Sequence, residues 1–350
     1  MNKFVRYLNK TFIKCLRLLL ITPKNQKKTC LLLVYAVVIV VLFTTSIYFR
    51  YEYDIERKSL GIIIIYSLHG VKELFACLTV LITLYTYRKV HIWQSLYKNV
   101  NILNEQQCHT ILVFAFFVEV FLHFYSVILW NVLFRRSVNL FLSFLLVSSV
   151  TIHFFYNATL HTLLTSIILE MKRKLVIVNE HINSDFITMD VTDMYAFIYQ
   201  AIEAGKIFNC LFGYQLLTFY FQWFVFLVIN LLNTVVIINS EKYFIPSKLF
   251  EGVSIVTSNL IVTTFGPCAI AFACDMVATE ADKLMTACYA AQEKFHYNSR
   301  EYQELQSLGS ILGSGVLKFT AAKFVEIKRS TLLSIMAAAT TYFIAIVQFY

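Results

Sequence analysis

Charged residues are scarce in this chain. Only 15% of its 350 residues are Asp, Glu, Lys or Arg, whereas 58% are hydrophobic. A soluble domain of this length needs a more polar surface than that composition provides. The mean hydropathy of +0.66 and several apolar runs near the roughly 20 residues that cross a bilayer indicate a polytopic membrane protein. With only three prolines, nine glycines and no strand-period alternation, the sequence favours continuous helices over a β-barrel.

Motifs of enzymes and of metal sites are missing as well. The sequence contains no His-Glu-x-x-His, no Gly-x-Ser-x-Gly and no Walker motif, so we expect neither an enzyme nor a cofactor. The eight cysteines match no zinc-binding spacing, and His153 and His161 alone are poor evidence for a metal. We also expect no cleavable signal peptide, because the cationic N-terminal segment has no small-residue cleavage site.

Hydropathy predicts an all-α membrane protein with seven transmembrane helices. The predicted spans are residues 29–49, 60–87, 110–133, 138–169, 214–238, 251–279 and 328–350. The fourth and sixth are longer than a bilayer needs, so we expect both to continue into water as helices. The predicted organisation is a basic N-terminal segment (1–28), helices one to four (29–169), a helical extension (170–213), helices five and six (214–279), an anchor region (280–327) and a last helix (328–350).

The distribution of cations predicts the direction of the chain across the bilayer. Most of the 30 Lys and Arg residues lie in residues 1–28 and in the connections on the same side. The positive-inside rule therefore places the N-terminus in the cytoplasm and the C-terminus outside. This cytoplasmic charge argues against a nucleic-acid surface. The opposite connections (50–59, 134–137 and 239–250) are short, so a ligand from outside must enter the helix bundle.

A stripe of small or polar side chains runs along the last span. Its members recur at steps of three and four residues, which places them on one helical face: Ser330, Ser334, Ala337, Thr341, Ile344 and Gln348. Small residues suit close packing between helices in lipid. The same stripe also suits a pore lining, in which Gln348 of several subunits forms a polar ring. The pattern alone leaves both interpretations open, with packing slightly favoured.

The end of the last span resembles the insect gustatory receptor family. The motif Thr-Tyr, five hydrophobic residues and Gln-Phe occurs in full from Thr341 to Phe349. The preceding stretch, from "FTAAKFVEIKRS" onward, is similar to lepidopteran members in particular. This specific match covers roughly the last 35 residues. Over the remainder only the topology and the proportions of the loops agree.

The resemblance implies a ligand-gated, nonselective cation channel of the plasma membrane in chemosensory neurons. Four subunits, identical or mixed, would surround a central pore, joined by cytoplasmic anchor regions. Gln348 and Phe349 would lie at the constriction, with Ile344 and Thr341 lining the pore below them. The implied partners are a small-molecule tastant, permeant cations and the lipid bilayer. A bitter plant compound is favoured over a sugar because the outer loops are minimal.

The family's ligand pocket lies in the outer half of the first six helices. Candidate residues at that depth are Tyr66, His69, Lys72, His123, Trp130, Asn131, Trp223, Asn230, Ser258 and Asn259. Charges inside a membrane are costly, so Lys72, Glu73 and Glu119 are either ligand-binding residues or interhelical ion pairs. Trp130 and Asn131 also fit an interfacial belt.

Three other functions are alternatives. An odorant-receptor-type channel subunit would share the topology and pore plan, but the intact terminal motif argues against it. A G-protein-coupled receptor would have its N-terminus outside, opposite to the predicted direction. A transporter is suggested only by the charged pair at Lys72 and Glu73, since no inverted repeat or pair of broken helices is present.

Overall fold

The structure is a bundle of long helices with one short hairpin. The computed structural model of the chain describes residues 11–12, 14, 34, 36–41, 43–45, 60–100, 110–134, 140–183, 191–239, 246–297, 299–313 and 317–348. The principal elements are α1 (Leu60–Tyr87), α2 (Val90–Asn99), α3 (Thr110–Phe134), α4 (Leu140–Asn183), α5 (Val191–Asn239), α6 (Pro246–Gln292), α7 (Arg300–Gly313), β1 (Thr320–Ala321), β2 (Val325–Glu326) and α8 (Arg329–Val347).

The helices confirm the predicted all-α membrane fold. Within the described part of the chain, five stretches are long and apolar enough to span a bilayer: Ser67–Tyr87, Thr151–Ile182, Asp193–Val235, Gly252–Gln292 and Arg329–Val347. Two shorter apolar helices, Ala36–Thr45 and Leu112–Tyr125, coincide with the first and third predicted spans. Each of the seven predicted spans therefore contains an apolar helix. The direction of the chain across the bilayer stays a prediction, and most of the basic segment 1–28 lies outside the described residues.

Three helices are much longer than a bilayer requires. Helices α4, α5 and α6 have 44, 49 and 47 residues, whereas about 20 suffice to cross the hydrocarbon. The predicted continuation of the fourth and sixth spans is therefore present. The fifth helix begins at Val191, so residues 191–213 and the fifth span form one continuous helix. Buried Met194, Ile198, Ala201 and Phe208 give this added part an apolar face that mean hydropathy does not detect.

Polar side chains join α1 to α5 inside the bundle. The hydroxyl groups of Thr79 and Thr218 lie 2.9 Å apart, and Gln215 Nε2 donates to Thr86 Oγ1 at 3.0 Å. The carbonyl of Thr86 also accepts a hydrogen bond from Trp93 Nε1 of α2 at 3.1 Å. Because these groups are buried, each hydrogen bond offsets a desolvation cost and fixes how the two helices align.

A short hairpin connects the region of α7 to α8. Strand β1 pairs antiparallel with β2, and the turn between them places Ala322 and Lys323 at φ values of 50° and 63°. The hairpin lies against α5, where Asn209 Nδ2 donates to the Lys318 carbonyl at 2.6 Å and Asn209 Oδ1 accepts from the Thr320 N–H at 2.9 Å. The sequence did not predict this hairpin, because its strands are only two residues long.

Candidate ligand pocket and last helix

A cavity of about 110 Å³ lies between α1, α3, α4, α5 and α6. Helix α4 contributes residues 153, 154, 157, 158 and 161, which a helical turn of 3.6 residues brings to one face. Helices α5 and α6 contribute side chains at the same spacing, 219 to 226 and 259 to 266. Five helices thus converge on one space.

A buried carboxylate with two partners forms one wall of the cavity. Glu73 Oε1 lies 3.0 Å from Lys72 Nζ, and Glu73 Oε2 lies 2.8 Å from His153 Nδ1. The Lys72 ammonium also lies 5.6 Å from the centroid of the Phe226 ring. Lys72 and Glu73 are therefore an ion pair within α1 and not the predicted pair between helices; both line the cavity, and their binding of a ligand stays a prediction. Lys72 compensates the charge of Glu73 where water is excluded.

A second carboxylate–imidazole pair forms the wall between α3 and α4. Glu119 Oε1 lies 3.0 Å from His161 Nε2, and both side chains are buried. The ring of His161 lies directly against α6, where a Cβ at Gly266 would be 2.6 Å from His161 Cδ2. Cβ atoms in proteins essentially never approach a non-bonded atom so closely, so glycine is required there for this placement of the imidazole.

Four polar atoms of the lining have no hydrogen-bond partner among the described residues. They are Glu119 Oε2, His123 Nε2, His153 Nε2 and Asn157 Oδ1, all inaccessible to solvent. The same side chains are fixed through their other atoms: Asn157 Nδ2 donates to Gln222 Oε1 at 3.1 Å, and the His123 ring stacks on Phe154 with centroids 3.9 Å apart. These unmatched groups are therefore held in fixed positions in the walls of the cavity.

Aromatic rings form much of the remaining surface. Phe154, Phe219, Trp223 and Phe226 line the cavity. The Trp223 indole is oriented by the hydrogen bond from its Nε1–H to Thr264 Oγ1 at 3.3 Å. An apolar and aromatic wall with a few fixed polar groups is the usual composition of a small-molecule site.

The cavity includes part of the predicted set of ligand-binding residues. Lys72, His123, Trp223 and Asn259 line it, and they come from four different helices. His69, Asn230 and Ser258 lie outside its described lining. The side chains of the other three candidates, Tyr66, Trp130 and Asn131, lie outside the described residues.

Several lining residues were not predicted. His153 and His161 were considered only as metal ligands, and their carboxylate partners lie on other helices, 80 and 42 positions away in the sequence. The spacing of Asn259, Thr263 and Gly266 places small and polar groups on one face of α6, and this signal could have identified that wall.

The stripe predicted on the last helix is exposed along its whole length. Helix α8 packs on the rest of the chain through the face that contains buried Leu332 and Ala339. The exposed stripe residues are Ser330, Ser334, Ala337, Thr341, Ile344 and Gln348. The hydroxyls of Ser334 and Thr341 donate to backbone carbonyls one turn earlier. Packing of this stripe within the same chain is therefore excluded for the described residues. Phe349 lies outside them.

Two contacts connect α8 to the helices that form the cavity. The Phe224 ring of α5 meets the Tyr342 ring edge to face, with centroids 5.6 Å apart, and Phe224 follows the lining residues Gln222 and Trp223. At the other end of α8, Arg329 Nε lies 3.1 Å from Asp275 Oδ2 of α6, and its guanidinium lies over the Phe272 ring at 4.7 Å.

The fold is shared with solved insect receptors. The insect olfactory receptor OR5 from Machilis hrabei is 13% identical and has a TM-score of 0.69, with 97% of each chain covered. The structure of OR5 in complex with eugenol also has a TM-score of 0.69, at 12% identity, and covers 99% of this chain and 100% of that chain. At these identities the likeness concerns the fold.

No curated protein sequence matches this chain significantly. The family model described as 7tm Chemosensory receptor matches residues 15–350, nearly the whole sequence. This match extends the resemblance beyond the terminal motif to the region that contains the cavity. The chain therefore belongs to the 7tm chemosensory receptor family.

Proposed function

We propose that this chain is a gustatory receptor subunit that forms a ligand-gated, nonselective cation channel in the plasma membrane. The observation that carries the proposal is the exposed stripe on α8. Lipid offers the Gln348 amide nothing in exchange for water, and the oxygens of Ser334 and Thr341 still accept hydrogen bonds after their hydroxyls donate to the backbone, so lipid suits this face poorly. A water-filled pore between several subunits accounts for Ser334, Thr341 and Gln348 on one exposed face.

The proposed assembly is a tetramer with α8 of each subunit at the central axis. Four copies of Gln348 would form a ring of neutral amides, which offers dipoles but no fixed charge. Such a ring suits weak selectivity among cations. Gln348 ends the helix, with its N–H donating to the Ile344 carbonyl at 3.2 Å. Phe349 is the second proposed gate residue, next along the chain.

The proposed ligand site is the cavity between α1, α3, α4, α5 and α6. OR5 was solved in complex with eugenol, so a protein of this fold binds a small aromatic molecule. The aromatic walls of the cavity suit a ligand of that kind. A bitter plant compound is the proposed class, with a sugar as the alternative. The gustatory role, as opposed to an olfactory one, is supported by the intact terminal motif, Thr341 to Phe349.

Helix α5 is the proposed path from the ligand to the pore. Gln222, Trp223 and Phe226 face the cavity, and Phe224 contacts Tyr342 of α8. A ligand that binds more tightly when the channel is open would move α5 and, through this aromatic contact, α8. The ion pair of Asp275 with Arg329 would hold the other end of α8 to α6 during the movement.

Whole-cell recording from cells that express this chain alone tests the proposal. Plant alkaloids, phenols and sugars are applied to wild type, Gln348→Ala and Ile346→Ala; Ile346 is close to Gln348 but half-buried. We expect a rapid ligand-evoked cation current whose permeability ratios or rectification change in Gln348→Ala only. A current with the same permeation in both variants would remove Gln348 from the gate. Currents that require G-protein signalling would overturn the channel function itself.

A further inference from the structure

We propose that the cavity binds a small organic ligand through a protonated amine and that Glu119 is the residue that binds this amine. The inference rests on the proposed function, which makes the cavity the ligand site, and adds the chemical class of the ligand. Some polar atoms of the lining have a hydrogen-bond partner among the described residues and others have none, and this difference indicates the class of ligand.

Glu119 has one oxygen atom left for a ligand. Its Oε1 shares a proton with His161 Nε2 across 3.0 Å, while its Oε2 has no partner among the described residues. Oε2 is an acceptor wherever the shared proton resides. Only 5% of Glu119 is exposed, so an unmatched oxygen carries a desolvation cost that a donor from the ligand would offset.

Glu73, the other carboxylate of the cavity, is already matched. Lys72 lies 3.0 Å from one of its oxygens and His153 lies 2.8 Å from the other. Lys72 supplies a full positive charge, whereas the partner of Glu119 among the described residues is the imidazole of His161. A second cation is therefore attracted to Glu119, and the ammonium of Lys72 directs it away from the Glu73 end.

The neighbouring unmatched atoms are acceptors too. In the tautomer of His153 whose Nδ1–H donates to the Glu73 carboxylate, Nε2 is a hydrogen-bond acceptor. Asn157 donates from Nδ2 to Gln222, which leaves its Oδ1. The fourth unmatched atom, His123 Nε2, accepts or donates according to its tautomer. A protonated amine supplies up to three N–H donors from one atom, which suits this arrangement.

The apolar walls favour the same ligand class. The rings of Phe154, Phe219, Trp223 and Phe226 line the cavity. Aromatic faces attract cations and also stack on the ring of an aromatic ligand. A sugar also offers hydroxyl donors to these acceptors, but it carries no positive charge to match Glu119. An aromatic amine matches both the acceptors and the walls.

Matched ligand pairs test the proposal on the wild-type protein. The full-length chain is purified into lipid nanodiscs, and its thermal unfolding midpoint is measured at pH 7 with 2-phenylethylamine against 2-phenylethanol and with tryptamine against tryptophol. We expect an amine to raise the midpoint at concentrations at least about tenfold lower than its alcohol does. Alcohols that are as effective as the amines, or amines with no effect, would overturn the proposal.

The variant Glu119→Gln tests the residue. It should abolish the preference for the amine over the alcohol, a loss of about tenfold or more. The control is Glu170→Gln, because Glu170 is also a buried carboxylate, lies outside the cavity lining and pairs with Arg173. An unchanged preference in Glu119→Gln would refute the assignment. Should this variant fail to fold, Glu119→Asp keeps the charge and the wild-type comparison still decides the ligand class.

Failure of this inference differs from failure of the proposed function. Currents evoked by neutral compounds, with no preference for amines, would leave the channel intact and refute the role of Glu119. Amine binding that depends on Glu119, in a protein that passes no current, would support the inference and contradict the channel.

Discussion

The imidazole of His161 lies against the backbone of α6 at Gly266, which leaves less room for a Cβ there than at the other described glycines. A Cβ there would be 2.6 Å from His161 Cδ2 and 2.8 Å from its Cγ. Both atoms belong to a ring that is held by Glu119, so the ring cannot move away without losing that contact.

We expect Gly266→Ala to lower the stability by about 1–3 kcal/mol, the usual range for an overpacked core. The thermal midpoint of the purified protein measures the change. Gly70→Ala is the matched control, because nothing lies within 4 Å of a Cβ there. Gly266 also precedes Pro267, which restricts its backbone conformation and gives a second cause by which an added Cβ destabilises the protein. The same substitution in a His161→Ala background separates the two causes: a cost that persists undiminished there would contradict the steric explanation.

The ion pair of Lys72 and Glu73 gives a second prediction at this scale. We expect Glu73→Gln to destabilise the protein by about 3–5 kcal/mol, because the ammonium of a buried lysine loses its counter-charge 3.0 Å away. Adding Lys72→Met to Glu73→Gln should recover part of the loss. Unfolding midpoints of the two single variants and the double variant form the test, and strictly additive losses would contradict the pairing.

At the residue scale the sequence predicted the charges but not their partners. Lys72, Glu73 and Glu119 stand out because ionisable groups are rare in apolar spans. The pairing of Glu73 with His153 joins α1 to α4, and that of Glu119 with His161 joins α3 to α4. Contacts between residues this far apart in sequence depend on how the helices pack, and one sequence does not contain that information.

At the scale of the elements, the sequence predicted the helices that have a high mean hydropathy. The seven spans were predicted from apolar stretches of the sequence, and five of them contain, within the described residues, a helix long enough to cross a bilayer. Residues 191–213 were predicted as part of a separate helical extension, 170–213, and their continuity with the fifth span was missed because they are amphipathic. The hairpin 320–326 was missed because its turn contains no glycine.

The hairpin turn gives a prediction at this scale. Lys323 has a φ of 63° and an exposed side chain, so it occupies a conformation that glycine adopts without cost. We therefore expect Lys323→Gly to raise the stability by up to about 1 kcal/mol, detected as a higher thermal midpoint. Lys318→Gly, at an exposed position without a positive φ, serves as the control and should not stabilise. A lower midpoint for Lys323→Gly would contradict the strain at this turn.

At the scale of the whole molecule, α8 has two faces with different roles. Leu332 and Ala339 fix the helix to the rest of the chain, whereas the stripe from Ser330 to Gln348 is exposed. Other exposed positions, including Leu333 and Met336, are apolar and suit lipid or a neighbouring subunit. The proposed pore therefore requires that water reach the stripe but not its apolar neighbours.

Cysteine accessibility during whole-cell recording tests whether the stripe of α8 lines the pore. A membrane-impermeant, positively charged methanethiosulfonate reagent is applied during the ligand-evoked current of Ala337→Cys, Thr341→Cys and Leu333→Cys, with wild type as the reference for the native cysteines. Leu333 is 68% exposed in the single chain but lies off the stripe. We expect the reagent to block the current in Ala337→Cys and Thr341→Cys and to leave the current of Leu333→Cys like that of wild type. Block in Leu333→Cys with no effect at Ala337 and Thr341 would contradict the assignment of the pore to this stripe.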